Sequence, residues 1–239
     1  MRAKELCLII ILTFMAIAVP VTISYKSIDN VAFDERFYEK EFSIYRVHDD
    51  LPGYNLFEIN KQVLDYLQHE KEDELIKSNF FNDREKKHLL DVKNLFNNLK
   101  NTYLTSIFLF SMGIFLLILI FNFDFRKLSE KFFTALLAGG ILTLFLSILV
   151  ILISFLNFDA AFGAFHEMLF PLGTYTFNQD SEKIVVLYPE ILFFDLFKNI
   201  LLKIILSSTI IITVSFLALF NLFGINFSAK FRGFFRRQI

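Results

Sequence analysis

Four long runs of apolar residues, separated by polar segments, form the main pattern along this chain. They cover residues 6–25, 103–121, 132–158 and 200–223, and each has about 18 or more residues with almost no charge. A helix rises about 1.5 Å per residue, so about 20 such residues cross the ~30 Å hydrocarbon core of a bilayer. The pattern therefore predicts four transmembrane helices.

In the first run, Ala16 and Ala18 form an A-x-A pattern. The same pattern occurs at signal-peptidase cleavage sites. Apolar residues continue past it through Val19, Val21 and Ile23, so the run is longer than the apolar region of a typical signal peptide. We therefore expect residues 6–25 to remain as an uncleaved membrane anchor.

Composition supports a membrane protein. Hydrophobic residues make up 55% of the chain and 33 residues are phenylalanine, whereas a soluble domain is roughly 45 to 50% apolar even with glycine counted. The single cysteine, Cys7, excludes an internal disulfide. The segments between the runs must therefore be held together by packing alone.

Charge differs between the short and the long connecting segments. The short segments, residues 1–5, 122–131 and 224–239, carry a total of +6, while the long loops, residues 26–102 and 159–198, carry −8. Because short loops rich in Lys and Arg stay in the cytoplasm, we expect both termini in the cytoplasm and both long loops outside the plasma membrane. This rule also accounts for the basic cytoplasmic tail, so we expect no binding of nucleic acid.

The first long loop has patterns typical of two helices. Apolar residues at helical spacing predict a helix over Asn55–His69, and capping-box spacing between Asn82 and Glu85 predicts a second one that continues to about Leu99. The pattern of residues 33–47 does not distinguish helix from strand.

The second long loop contains a polar turn at residues 178–182, a strand-like apolar run at Ile184–Tyr188 and a helix start at Pro189 and Glu190. About 40 residues are too few to fold alone, so we expect this loop to pack on the first one as a single extracytoplasmic cap. The expected fold class is a membrane all-α protein with four transmembrane helices and a cap that is mostly helical, with room for short strands.

All four histidines lie in the long loops. His48 and His69 have charged neighbours and are expected at the surface, whereas His88 and His166 lie among aromatic and apolar residues. A zinc site made of His88, Asp91 and His166 can be drawn, but this spacing is a weak pattern. No G-x-S-x-G, H-E-x-x-H or phosphate-binding glycine loop occurs. We therefore expect general acid/base chemistry without a cofactor or metal.

Three strings resemble motifs of one family of four-span bacterial membrane proteins. F-F-N-D-R-E-K-K-H-L-L-D-V-K-N-L-F at Phe80–Phe96 is similar to the family's N-x-R-E-x-x-H-M-x-D-V-K signature. F-G-A-F-H-E-M-L at Phe162–Leu169 resembles F-x-x-F-H-x-x-F, with Leu169 in place of phenylalanine, and L-Y-P-E-I-L-F-F at Leu187–Phe194 resembles L-x-P-E-x-F-F. The family with these three motifs is that of the lipoprotein intramolecular transacylases, and the resemblance covers essentially the whole chain.

The resemblance implies an acyltransferase that acts on a diacylglyceryl lipoprotein. An acyl chain moves within that molecule from the sn-2 ester of the glycerol to the α-amino group of the N-terminal cysteine, and the family's catalytic histidines match His88 and His166. An α-amino group has a pKa of about 7.7 to 8.0, so a base such as histidine must deprotonate it before it can attack. Which histidine is the base, and which the acid, is left open by the sequence.

Other residues are candidates for binding the substrate. Asp91 could orient an imidazole, or it could simply face solvent on its helix. Glu190 could contact the substrate amine or a histidine, or it could only stabilise the helix start. Four aromatic residues could hold the acyl chains and exclude water, or could serve only in packing: Phe81, Phe165, Phe170 and Tyr175.

Two alternative functions remain open. A lipid ester hydrolase could use the same two histidines but would admit water and release free fatty acid. A non-enzymatic four-span partner protein would not need the histidines at all. For the transacylase we expect a lipid-modified protein substrate, contact with membrane lipids and a monomeric state.

Overall fold

The structure is a computed structural model that describes residues 3–68, 75–171 and 174–222. Within these ranges the regular secondary structure is helical and no strand occurs, so the short strands allowed for in the cap are not found there. The helices, in chain order, are α1 (Ala3–Ala32), α2 (Glu35–Ile44), α3 (Val47–Asp50), α4 (Leu56–Gln68), α5 (Asp83–Phe121), α6 (Phe125–Leu156), α7 (Phe158–Leu169), α8 (Ile184–Leu187) and α9 (Glu190–Leu222).

Four of these helices, α1, α5, α6 and α9, are long and apolar enough to cross a membrane, as the hydrophobic pattern predicts. They contain 30 to 39 residues. At about 1.5 Å per residue each is longer than the ~30 Å hydrocarbon core. Each membrane helix therefore extends beyond its apolar run, and α9 begins ten residues before the predicted span, at Glu190, directly after Pro189 as its start signal predicts.

Helix α5 combines two elements that were predicted to be separate. It begins where the capping box predicts, since the Glu85 carboxylate accepts from the backbone N–H of Asn82 at 2.6 Å and the Asn82 side chain accepts from that of Glu85 at 2.9 Å. It does not end near Leu99 but continues without a break to Phe121. The polar residues at 97–102 include no proline or glycine, so nothing in them stops a helix.

The connections at the two ends of α6 also differ from the prediction. Most of the expected link at residues 122–131 is helical, and only three residues separate α5 from α6. Asn122 and Phe123 make this tight turn with positive φ values of 46° and 61°. At the other end the predicted span 132–158 is interrupted at Asn157, whose side chain accepts from the backbone N–H of Ala160 at 3.0 Å and caps α7.

The chain divides into two compact units. The first unit consists of the described parts of Met1–Ile23, Thr105–Leu146 and Ile204–Ile239. Its helices approach closely at Gly139, where a Cβ atom would lie 2.5 Å from the Cβ of Val19. Small residues allow such backbone approach between membrane helices. A buried cluster elsewhere in this unit consists of Ile11, Met15, Leu117 and Ala135.

The second unit consists of Ser24–Leu104 and Ser147–Lys203, apart from the residues the structure does not describe. Its hydrophobic core contains Phe42 and Leu56 from the first long loop together with Leu187 and Leu192 from the second. These four side chains are almost completely buried. The prediction that the two long loops pack on one another is therefore confirmed.

Inside this unit, the first long loop is helical where the sequence was ambiguous. Residues 33–47 contain α2, which Asp34 caps by accepting from the backbone N–H of Arg36 at 3.1 Å. Helix α4 confirms the helix predicted at Asn55–His69, and His48 is exposed as expected. His69 itself, like the basic tail predicted at 224–239, lies outside the described residues.

The strand-like run Ile184–Tyr188 is not a strand. It forms α8, a single helical turn closed by a bond from the Leu187 N–H to the Lys183 carbonyl at 2.8 Å. The N–H of Ile184, the first residue of this turn, donates to the Glu85 carboxylate at 2.7 Å. Because a strand needs a neighbouring strand to satisfy its backbone groups and none occurs in the described residues, the local turn is the stable alternative.

Candidate active site

His88 is buried on the second turn of α5, with only 8% of its surface exposed. This charged first part of the helix includes Arg84, Glu85 and Lys87 and precedes the apolar run at 103–121 by about four turns. His88 therefore lies outside the apolar run of α5 that is predicted to span the membrane. The capping box one turn earlier fixes the start of the helix and with it the position of this imidazole.

His166 lies on α7 and is half-buried. Its Nδ1 is 2.8 Å from the carbonyl oxygen of Phe162, one turn earlier on the same helix. A carbonyl oxygen can only accept a hydrogen bond, so Nδ1 carries the proton. In the neutral ring, Nε2 then has a free lone pair and can accept a proton.

The two histidines meet in the structure. Their ring centroids are 6.3 Å apart and their planes differ by 23°. The ring of Phe170 contacts both, with centroid distances of 5.0 Å to His88 and 5.4 Å to His166. Residues from two separate loops thus bring two imidazoles close enough to contact the same small group.

The surroundings of His88 keep it neutral. Burial, and secondly the neighbouring His166, lower the pKa of His88 to about 4, because both disfavour a positive charge on the ring. Its Nδ1 is buried and has no hydrogen-bond partner among the described residues. A buried polar atom without a hydrogen-bond partner lowers the stability of the folded protein. A substrate group that hydrogen-bonds to this nitrogen would therefore bind favourably.

Aromatic rings surround the two imidazoles. Three of the four predicted wall residues are among them: Phe170 is buried between the histidines, while Phe165 and Tyr175 contact His166 at 5.4 and 5.6 Å. Phe177, which was not selected from the sequence, packs edge-on against His88 at 5.3 Å. Its only signal in the sequence is its position in an aromatic-rich loop.

The remaining predicted site residues make no hydrogen bond or ring contact with either histidine among the described residues. Phe81 is buried in the core of the second unit and packs against Phe80. Asp91 is half-buried on α5 and makes no hydrogen bond to His88. Glu190 is exposed at the start of α9, where partial desolvation and then the neighbouring Asp159 raise its pKa.

The arrangement supplies two different acid/base groups. His166 is partly accessible and has a lone pair on Nε2, while His88 is buried and neutral and can donate an N–H hydrogen bond. Such a pair suits a reaction in which a proton is removed from a nucleophile while negative charge develops on an oxygen. Within the described ranges, no three His, Cys, Asp or Glu side chains are grouped as they would be to hold a metal ion.

Four apolar helices long enough to cross a membrane define a multi-pass membrane protein, in which two histidines lie close together among aromatic rings. Comparison with protein families gives a match to the lipoprotein intramolecular transacylase Lit over residues 10–194. The match covers more than half of the chain, so the chain belongs to this family. Its members are acyltransferases by description, and the protein is therefore an enzyme of that class.

Solved structures show the same fold. The membrane integral lipoprotein intramolecular transacylase Lit from Bacillus cereus has 20% identity and a TM-score of 0.74, with 90% of this chain and 96% of that chain covered. Two variants of it, with one histidine replaced by arginine or by alanine, give TM-scores of 0.74 and 0.73 at the same identity, with 90% and 89% of this chain and 93% of each variant covered. The comparison with curated proteins gave no match.

Proposed function

We propose that this enzyme moves an acyl chain from the glyceryl sn-2 ester of a diacylglyceryl lipoprotein to the α-amino group of the N-terminal cysteine. The observation that carries the proposal is the meeting of His88 and His166, with ring centroids 6.3 Å apart, inside an aromatic site of a Lit-family protein. Ester and amine belong to one substrate molecule. The enzyme therefore has to fold that molecule so that the two groups meet, which raises their effective concentration.

His166 acts as the general base in this proposal. The α-ammonium group must lose a proton before its nitrogen can attack the ester carbonyl. The bond from His166 Nδ1 to the Phe162 carbonyl leaves Nε2 as the nitrogen that accepts this proton. After attack, the same imidazolium returns the proton to the departing glycerol oxygen. The C–N bond forms and the sn-2 C–O bond breaks. The ammonium nitrogen loses two protons in all, of which one ends on the glycerol oxygen and the other is released to solvent, so no co-reactant is needed.

His88 acts as a neutral hydrogen-bond donor in this proposal. Its lowered pKa makes it a weak base at neutral pH, but a neutral imidazole still carries one N–H. That N–H stabilises the oxyanion of the tetrahedral intermediate. In a site from which water is excluded, such a donor stabilises an oxyanion far more than it would in water. Burial of His88 therefore favours this role.

The aromatic rings direct the acyl group to the amine rather than to water. Phe170 and Phe177 cover His88, and Phe165 and Tyr175 lie against His166. Apolar rings pack against acyl chains and leave little room for water, which would otherwise hydrolyse the ester.

We further propose that the site faces outward from the plasma membrane and that both termini are cytoplasmic. The support is the charge distribution, with basic short segments and acidic long ones. The diacylglyceryl group of a lipoprotein lies in the bilayer, so the substrate can reach the site from the outer leaflet.

The test expresses the wild type, His88→Ala and His166→Ala in a host that makes diacylglyceryl lipoproteins. Transfer within one molecule conserves mass, so fragmentation mass spectrometry of the N-terminal lipopeptides must locate the acyl chain. An N-acyl fragment is expected with the wild type and absent with both variants. Persistence of this fragment in both variants would contradict the roles given to the histidines. Release of free fatty acid by the wild type would instead indicate a hydrolase.

A further inference from the structure

The N-x-R-E-x-x-H string contains two residues, Arg84 and Glu85, to which the proposed chemistry gives no role. Arg84 lies one turn before His88 on α5 and reaches across to residues 174–183 of the second loop, which we call the strap. One guanidinium nitrogen, Nη1, donates to both carboxylate oxygens of Glu182, at 3.1 and 3.4 Å. The other, Nη2, donates to the carbonyl oxygen of Thr176.

The guanidinium also lies over an aromatic ring of the strap, with its centre 5.2 Å from the centroid of Phe177. Only arginine can make these contacts together, because its planar fork carries five donors in fixed directions and can also stack on a ring. Lysine carries the same charge on a single nitrogen.

The partner of Arg84 holds the strap in shape. Glu182 is 5% exposed, and its Oε2 also accepts from the backbone N–H of Asn178 at 2.7 Å. The Glu182 N–H in turn donates to the Asn178 carbonyl at 2.9 Å, so the segment between them is a closed turn. The Arg84 side chain is 45% exposed, but the Glu182 carboxylate is buried and multiply hydrogen-bonded, so this ion pair is not one between two exposed charges, which contributes little.

Glu85 secures the chain just after the strap. Its side chain, only 1% exposed, accepts from the N–H of Ile184, the residue that follows the strap. Two successive residues of α5 therefore hold consecutive parts of the second loop against the helix that carries His88.

The strap in turn covers the imidazole of His88. Among the described residues, the rings in contact with His88 are those of His166, Phe170 and Phe177, and Phe177 is the one contributed by the strap. If the strap moved away, this side of His88 would open to water.

We propose that Arg84 is a positioning residue of this enzyme, which holds the strap so that Phe177 stays packed on His88 and keeps water from it. Its effect on catalysis rests on the proposed function, but its effect on His88 does not. The low pKa of His88 agrees with such a cover, because burial is its main cause.

The direct test is an NMR titration of the histidine rings in the full-length protein, with His88 assigned by its loss in His88→Asn. In the wild type, His88 should stay neutral down to about pH 5. In Arg84→Lys and in Phe177→Leu its pKa should rise toward the ordinary value of about 6.5. Lys87→Ala, an exposed change on the same helix, should leave the titration as in the wild type.

Arg84→Lys is the chosen variant because it keeps the positive charge. A change in the pKa of His88 in this variant therefore reports the position of Phe177 and not the loss of a charge. The titratable group that contacts His88 among the described residues, His166, is unchanged in this variant. If Phe177→Leu shifts the titration of His88 but Arg84→Lys does not, the proposal is overturned. If Arg84→Lys does not fold, Glu182→Gln loosens the same contact from the other side and must give the same shift.

The catalytic consequence is tested by the rate of N-acyl formation. Arg84→Lys and Phe177→Leu should each lower kcat, by up to about 10²-fold, since a misplacement of reacting groups by about 1 Å can have an effect of this order. Because both act through the same contact, the double variant should be no slower than the slower single variant. If the reductions in kcat of the two single variants multiply in the double variant, the proposal is overturned. A wild type that forms no N-acyl product would refute the proposed function, while the NMR titration would still test Arg84.

Discussion

His166 donates from Nδ1 to the carbonyl oxygen of Phe162 at 2.8 Å, and this bond decides which nitrogen of the ring can take a proton. Because donor and acceptor lie one turn apart on α7, the helix itself orients the ring. His88 has no such bond on its Nδ1 among the described residues. The two histidines therefore differ in environment, although both are embedded among aromatic residues in the sequence, and their different roles lead to distinct predictions.

The first prediction separates the two histidines by amide substitutions. Asparagine at position 88 keeps an N–H near the position of Nδ1, so His88→Asn should retain more activity than His88→Ala. A glutamine amide has no basic nitrogen, so His166→Gln should be as impaired as His166→Ala, by about 10²- to 10⁴-fold. The measurement is the rate of N-acyl lipopeptide formation, and the opposite order of sensitivity would show that the roles are reversed.

The second prediction concerns stability and pH. The pKa of His88 is about 4 in the folded protein and about 6.5 in the unfolded chain, so between these values the unfolded chain binds more protons. The stabilisation is fully present above about pH 6.5 and is lost as pH falls toward 4. A pKa difference of this size corresponds to about 3 kcal/mol in the free energy of unfolding.

The measurement is the free energy of unfolding in detergent at pH 7 and pH 5. It should fall more in the wild type than in His88→Leu, which has no group to titrate. His48→Ala, a change at an exposed histidine, serves as the control and should behave as the wild type. Equal losses in the wild type and His88→Leu would show that His88 does not carry the effect.

The third prediction concerns the buried carboxylate of Glu85. Both of its oxygens accept backbone N–H groups, from Asn82 at 2.6 Å and from Ile184 at 2.7 Å. In glutamine an NH₂ group replaces one of these oxygens. This hydrogen-bond donor would face the backbone N–H of Asn82 or of Ile184, which is also a donor. Glu85→Gln should lower the free energy of unfolding by about 1 to 3 kcal/mol. Glu58→Gln, at an exposed position of α4, should have little effect, and equal stability of the two variants would contradict the prediction.

The fourth prediction compares two glycines within helices. A Cβ at Gly139 would lie 2.5 Å from the Cβ of Val19 and 2.7 Å from the carbonyl oxygen of Ala16, whereas a Cβ at Gly163 would meet nothing within 4 Å. Gly139→Ala should destabilise the protein by about 1 to 3 kcal/mol through overpacking. Gly163→Ala should be neutral or slightly stabilising, because alanine favours a helix. Thermal unfolding of both variants decides whether this difference exists.

The fifth prediction tests the proposed orientation. In a Cys7→Ser background, Lys61→Cys on α4 should react with a membrane-impermeant maleimide in intact cells. Lys127→Cys, at the start of α6, should react only after the cells are permeabilised. Both positions are exposed, so differences in burial do not account for the outcome. Labelling of Lys127→Cys in intact cells would contradict the proposed topology.

The elements that could be predicted from the sequence are those that depend on neighbours along the chain. The four membrane helices follow from long apolar runs, because a bilayer requires about 20 such residues in a row. The starts of α5 and α9 follow from local capping and proline signals at Asn82 and Pro189. The strand suggested at Ile184–Tyr188 was wrong because an apolar run does not show whether a neighbouring strand is available. None occurs in the described residues, and the run forms a helical turn instead.

The sequence by itself determined the membrane helices, the helix starts and the residue types available for acid/base chemistry. Only the tertiary structure decided that His88 and His166 meet, that Phe177 rather than Phe81 lies against His88, and that Asp91 and Glu190 make no hydrogen bond to either ring among the described residues. The physical reason is that hydrophobic pattern and capping act over a few residues. Distances between side chains on different loops, and the burial that lowers the pKa of His88, arise only when those loops pack on one another.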